Sequence, residues 1–310
     1  MARIPIYIVD AFATNPFAGN PAVIVPDATA LSPATMRQIT DELQMEAGFI
    51  LPPTTPEADL RLRFFTRRHE AMVSGHVIVA AFTVMVEQGR FEPTPEGLPL
   101  LHETGLGVLP VLLSSTTDGE CEVTFDLPLP RFGEPVPALQ VATALGLPPT
   151  FVQYDEHLPQ RVSCGFDTLV VPISDANAIR GKFTDMTAIR RLADDLGVGG
   201  VACFHADTTS SHRDLYCRFF FPGEGANEEV VSGTALGAVT AYCLHKGIVR
   251  RGSNVRLVSE QGHALGRPNR ALIEARLDGE RIVRLCLTGT GVVVLRGEIE
   301  VQEQAAAVSA

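Results

Sequence analysis

Two short apolar runs rich in β-branched residues, Tyr7-Ile8-Val9 and Ala22-Val23-Ile24-Val25, read as strands. Ser32-Pro33 follows with a capping hydroxyl and a proline suited to the first helical position, and predicts a helix over residues 33–44. Residues 47–51 and 60–65 return to a strand pattern. Ser74-Gly75 then opens a stretch, residues 77–86, that is apolar on every side, and Gly89 can close it. A helix without a polar face must be surrounded by protein.

The same order comes a second time. Residues 168–171 read as a strand, 184–196 as a helix closed near Gly197, and 201–204 and 216–221 as strands. Gly233 opens a second, more weakly apolar helix that Gly247 can close. The likeness reaches single residues. Arg63-Phe64-Phe65, Glu70 and Ser74-Gly75-His76 have counterparts in Arg218-Phe219-Phe220, Glu228-Glu229 and Ser232-Gly233-Thr234. The spacing from Gly75 to Gly89 equals that from Gly233 to Gly247. Two copies so far apart are not a solenoid. They predict two pseudo-symmetric halves, each an α+β unit with a mostly antiparallel sheet curled around a central helix, and a site between them. The proline-rich segment 127–137 places the boundary near residue 130, giving halves 1–130 and 131–310, with the C-terminal strand free to pack on the N-terminal half. A Rossmann sheet would need G-x-G-x-x-G after its first strand. The pairs Gly105/Gly107, Gly223/Gly225 and Gly289/Gly291 lack that context and read as hairpin turns, and residues 302–310 as a frayed tail.

Composition narrows the class. With 310 residues, 45% hydrophobic and 20% charged, the chain is globular. A net charge of −11 argues against nucleic acid and anionic membranes as partners, but not against a small anion. Six dispersed cysteines without a C-x-x-C pair, and no signal-peptide or membrane-length apolar run, point to a soluble cytoplasmic protein.

The candidate chemistry sits at the two helix starts. Ser74-Gly75 and Ser232-Gly233 are either plain N-caps or anion sites, since the first backbone N–H groups of a helix point outward. His76, in the first turn, is a proton carrier or a structural histidine. Glu46, the only acid between Met45 and Ile50, is a solvated loop charge or a half-buried acid/base. Glu228 and Glu229 can favour the following helix dipole. The remaining histidines (His69, His102, His157, His205, His212, His245, His263) form no metal-ligand spacing, so no metal is expected.

Five segments, in order, resemble the PhzF family, the phenazine-biosynthesis isomerases and their relatives. They are Val9-Asp10-Ala11-Phe12 with residues 15–22, Met45-Glu46-Ala47-Gly48-Phe49, Phe65 through Ser74-Gly75-His76, Phe221 through Glu228-Glu229 to Ser232-Gly233-Thr234-Ala235, and Glu260-Gln261-Gly262 followed by Gly266-Arg267-Pro268. The resemblance implies a diaminopimelate epimerase-like fold, a dimer, and no metal or organic cofactor. It places the general acid/base on Glu46, the active-site histidine and its glycine on His76 and Gly75, the site acid on Glu229, and the second hydroxyl on Thr234. Glu229 departs from the family's aspartate, and Val230 from the proline after it. Racemase and epimerase relatives carry cysteines where Ser74 and Ser232 stand, and a serine hydroxyl is a far poorer base than a thiol.

The favoured expectation is a cofactor-independent isomerase that moves a proton on a small anionic carboxylate. Glu46, His76 and Glu229 would do the chemistry, and Ser74, Gly75, Ser232, Gly233 and Thr234 the binding. The alternatives are an epimerase or dehydratase of the same fold, or a non-catalytic binding protein on this scaffold.

Overall fold

In the computed structural model the apolar segments form helices wrapped by sheet. The structure describes residues 2–153, 156–181, 185–206, 214–222, 226–249 and 252–302. The pair Gly223/Gly225, His212 and the tail beyond residue 302 lie outside them. The chain forms two compact units. The first holds residues 1–17, 21–123 and 290–310, the second residues 18–20 and 124–289.

The first unit contains β1 (Ala2–Ala11), β2 (Asn20–Val25), α1 (Pro33–Leu43), β3 (Ala47–Leu51), β4 (Leu60–Phe65), β5 (Glu70–Ala71), α2 (Gly75–Glu87), β6 (Leu98–Thr104) and β7 (Gly107–Ser115). After β8 (Cys121–Asp126) come β9 (Arg131–Pro135), α3 (Ala138–Leu145), β10 (Gln160–Ser163), β11 (Asp167–Pro172), α4 (Ala176–Arg180), α5 (Met186–Leu196), β12 (Gly200–Ala206) and β13 (Leu215–Phe221). Next are β14 (Ala226–Glu229), α6 (Gly233–Lys246), β15 (Asn254–Gln261), β16 (Asn269–Asp278) and the long β17 (Arg281–Val301).

The duplication is visible in the strand pairing. In the first unit β2 and β3 are parallel across α1, β3 and β4 antiparallel, and β4 and β6 parallel across α2. In the second, β11 and β12 are parallel across α4 and α5, β12 and β13 antiparallel, and β13 and β15 parallel across α6. Each parallel pair needs a crossover, and a helix supplies it. The helices α2 and α6 are the ones without a polar face. Nearly every residue of α2 from Val77 to Met85 is buried, and every residue of α6 from Ala235 to Leu244.

Ser32 caps α1 by accepting from Thr35 N–H at 3.1 Å, with Pro33 in its first turn, as the sequence predicts. Gly105 precedes the turn into β7, as expected. The reading of Gly289/Gly291 as a turn is wrong. Both lie inside β17, which continues past them to pair with β1 from Ala11↔Gly291 to Ala2↔Val301. Gly291 is there for packing: a Cβ would lie 2.4 Å from Thr83 Oγ1 of α2 and 3.2 Å from Val9. No helix among the described residues is long and apolar enough to cross a membrane. The six cysteines are unpaired, and burial pushes the Cys164, Cys203 and Cys217 thiols up to about 12, which leaves them unreactive.

One buried group works against the fold. His102 on β6 is fully buried, edge-on to Phe82 of α2 at 5.7 Å, and neither ring nitrogen finds a well-formed partner. Burial pushes its imidazole down from 6.5 to about 4. The unfolded chain therefore takes up a proton first, so this group's contribution is intact above about pH 6.5 and is lost as pH falls towards 4. The loss at pH 4.5 is about 2–3 kcal/mol. His102→Leu is expected to remove that part of the acid sensitivity. Urea midpoints of variant and wild type at pH 7.5 and 4.5 check it, and equal losses in both would refute it.

Candidate active site

Three groups of the first unit meet at the start of α2. Glu46 stands between the left-handed cap of α1, Gln44 at φ 52, and the first residue of β3. Its carbonyl accepts from Val23 N–H at 2.9 Å, which fixes the backbone there. The first turn of α2 can approach because residue 48 is glycine: a Cβ would lie 2.5 Å from Val77 Cγ1. Ser74 Oγ consequently donates to Glu46 Oε2 at 3.0 Å and lies 3.3 Å from His76 Nδ1. His76 Nε2 lies 3.5 Å from the same Glu46 oxygen. The Glu46 side chain is 33% exposed and that of His76 12%. Burial holds His76 below its ordinary value, outweighing the Glu46 charge that raises it. Ser74 occupies the N-cap position without capping, because its hydroxyl turns to Glu46. The first-turn N–H groups of α2 have no partner within the helix and carry the positive end of its dipole.

The second unit repeats the turn with different partners. Ser232 Oγ accepts from Ala235 N–H at 3.4 Å and lies 3.4 Å from Thr234 Oγ1, so here the serine does cap its helix. Three buried amides frame the approach to it. Asn20 donates to Val231 O at 3.2 Å, Asn269 to Val230 O at 2.8 Å, and Gln261 Oε1 accepts from Ser232 N–H at 3.3 Å. Arg267 donates to the carbonyls of Gly19 and Ala18 at 2.9 and 3.0 Å. Asn20, Gln261 and Arg267 stand in the sequence signatures and Asn269 directly follows the last of them, yet nothing local to them reveals the role. Each contact is made to backbone remote in sequence.

The matched arginines and glutamates are struts. Arg63 forms a two-pronged bond to Glu70, both contacts 2.7 Å, with its guanidinium 5.3 Å from the Phe65 ring. Arg218 does the same with Glu228, both contacts 2.8 Å, and lies 5.3 Å from Phe220. Glu228 is thus engaged by Arg218 in front of the turn, beyond any favourable effect on the helix dipole. Glu229, next to it on β14, is half-buried.

Glu46 has no counterpart acid. Ala47 pairs with Phe65 and Val201 with Phe220, so by register Glu46 matches Gly200. Counted from the left-handed caps Gln44 and Gly197, it matches Gly199. A Cβ at Gly199 would lie 1.9 Å from the Phe166 ring, and one at Gly200 2.6 Å from the Phe219 ring. Neither position has room for a side chain. Among the described residues no cluster of three or more His, Cys, Asp or Glu could hold a metal ion.

A family model described as phenazine biosynthesis-like protein, PhzC-PhzF, matches residues 9–297. The chain belongs to this family. An uncharacterized isomerase of Bacillus subtilis is 31% identical to this PhzF-family chain, covering 94% of it and 97% of the relative. The trans-2,3-dihydro-3-hydroxyanthranilate isomerase of Pseudomonas fluorescens is 26% identical, covering 94% and 98%. The crystal structure of a Bacillus anthracis phenazine biosynthesis protein of the PhzF family matches with a TM-score of 0.86 at 24% identity, over 97% of this chain and 100% of that one. A hydroxyproline epimerase of Agrobacterium vitis matches with a TM-score of 0.65 at 12% identity, over 99% and 93%. The fold is that of the PhzF proteins and the epimerases, as expected from the sequence, and the protein is an enzyme of the isomerase class.

The two struts of this PhzF-family protein differ in burial, so they differ in consequence. The Arg218 and Glu228 side chains are 6% and 10% exposed, those of Arg63 and Glu70 17% and 42%. Glu228→Ala leaves a buried guanidinium without its carboxylate and is expected to cost about 3–5 kcal/mol. Glu70→Ala is expected to cost about 1 kcal/mol or less. Chemical denaturation of both variants compares them, and equal losses would contradict the strut reading.

Proposed function

We propose that this chain is a cofactor-independent isomerase that moves a proton on a small carboxylate substrate, with Glu46 as general acid and base. The Glu46 carboxylate takes a proton from an acidic carbon. The C–H electron pair moves into the conjugated system of the substrate, and Glu46 returns a proton, exchangeable with solvent while the carboxyl holds it, at a different carbon, so the product is an isomer of the substrate. The first-turn N–H groups at Gly75 and His76 offer binding to a carboxylate or to the charge that develops, as does the Ser232-Gly233-Thr234 turn. His76 and Glu229 orient the substrate and relay the proton.

The observation that carries this reading is the half-buried Glu46 carboxylate, held at the N-terminus of α2 by Ser74 and His76 and unmatched by any acid in the second unit. A single lone acid suits a reaction in which one group both removes and returns the proton. Epimerisation would return it to the opposite face of the same carbon through a second group, and Ser232 is a poor candidate for that.

The Pseudomonas relative is named for trans-2,3-dihydro-3-hydroxyanthranilate, a small cyclic carboxylate, and that compound is the first probe. The extra methylene of Glu229 against the family aspartate argues for a substrate of different outline. In deuterated water the wild type is expected to place deuterium on a carbon of the product. Glu46→Gln is expected to lower that rate by about 10²–10⁴-fold. Turnover by Glu46→Gln at the wild-type rate would sink the mechanism, and inversion of a stereocentre without movement of a double bond would establish the epimerase reading instead.

A further inference from the structure

The contact among Glu46, Ser74 and His76 limits where its hydrogens can be. Ser74 has one hydroxyl hydrogen and two polar neighbours. The contact to Glu46 Oε2 at 3.0 Å is shorter than the one to His76 Nδ1 at 3.3 Å, and a bond to a carboxylate is the stronger kind. The hydrogen therefore lies towards Glu46. The His76 contact is then a hydrogen bond only if Nδ1 carries a hydrogen and donates it to the serine oxygen. Burial favours the neutral imidazole, which has a single N–H. With that hydrogen on Nδ1, Nε2 keeps its lone pair, 3.5 Å from Glu46 Oε2. Among the described residues Glu46 is the one charged group that bears on His76.

We propose that Ser74 is a positioning residue that selects the Nδ1–H form of His76 and engages Glu46 Oε2, leaving Oε1 as the oxygen that meets the substrate. Oε1 makes no hydrogen bond among the described residues. An N–H on Nε2 would stabilise the Glu46 carboxylate and weaken it as a base, whereas a lone pair there leaves it more basic. The selection also frees α2 from its side-chain cap, so its first-turn N–H groups remain available to an anion. The kinetic part of this proposal rests on Glu46 being the acid/base, but the tautomer part does not.

Nitrogen-15 NMR of histidine-labelled protein tests it, with the His76 signals assigned by their loss in His76→Gln. At neutral pH the wild type is expected to show Nδ1 protonated and Nε2 bare. Ser74→Ala is expected to shift His76 towards the Nε2–H form that neutral histidine otherwise prefers, and Ser74→Thr to retain Nδ1–H. With trans-2,3-dihydro-3-hydroxyanthranilate as probe, Ser74→Ala is expected to lower kcat by about tenfold or more, with KM changed by less than about twofold and Ser74→Thr restoring kcat. A wild type with hydrogen on Nε2, or a tautomer unchanged in Ser74→Ala, overturns the proposal. Unaltered turnover by Glu46→Gln beside an Nδ1–H His76 would instead overturn the acid/base assignment and leave the tautomer selection standing.

Discussion

The constraint on which the rest depends is the burial of a helix with no polar side. From Val77 to Met85 the one polar side chain in α2 is Thr83, and its hydroxyl folds back onto Val79 O at 2.8 Å. Such a helix is stable in water only when protein covers it all round. Strands supply the cover in each unit, and glycines let the cover come close: Gly48 and Gly291 against α2, Gly237 against Leu127 beside α6. Once the flanks are sealed, the polar groups left on the helix are those of its ends. A helix start whose first N–H groups lack partners within the helix follows from the architecture.

Duplication made two such starts, and divergence then separated structure from chemistry. The parallel crossovers, the arginine–glutamate struts with their stacked phenylalanines, and the Ser-Gly turns are kept in both units. The acid is kept in one. Where Glu46 would recur, glycine lets Phe166 and Phe219 fill the space. The serines have parted as well, Ser232 capping its own helix and Ser74 serving Glu46. One half thus holds the bonded trio Glu46, Ser74 and His76, and the other a turn framed by Asn20, Gln261 and Asn269.

Much of this was legible in the chain, for identifiable reasons. Ser32-Pro33, the all-apolar segments and the closing glycines are local signals, and they place α1, α2 and α6 closely. The strands β15 and β16 were not anticipated, although each pairs with a neighbour in sequence, and the full length of β17 was missed because Gly289/Gly291 mimics a turn while serving close packing. Glu46, His76 and Ser74 could be singled out as residues. The use to which Ser74 is put could not, since a serine before a helix reads as a cap. The framing amides were hidden for the same reason that hides most buried polar groups: their partners are backbone carbonyls or N–H groups elsewhere.

The passage of β17 along β1 bears on how the protein is made. Residues 2–11 of the first unit lie against residues 291–301, the last of the described chain but one. A ribosome delivers the amino-terminal segment long before its strand partner exists. Until residues 291–301 emerge, that side of β1 is an unpaired edge and the flank of α2 next to Gly291 stays open. The first unit to emerge therefore closes only after the second has been made, and the nascent chain carries an unpaired strand edge until then.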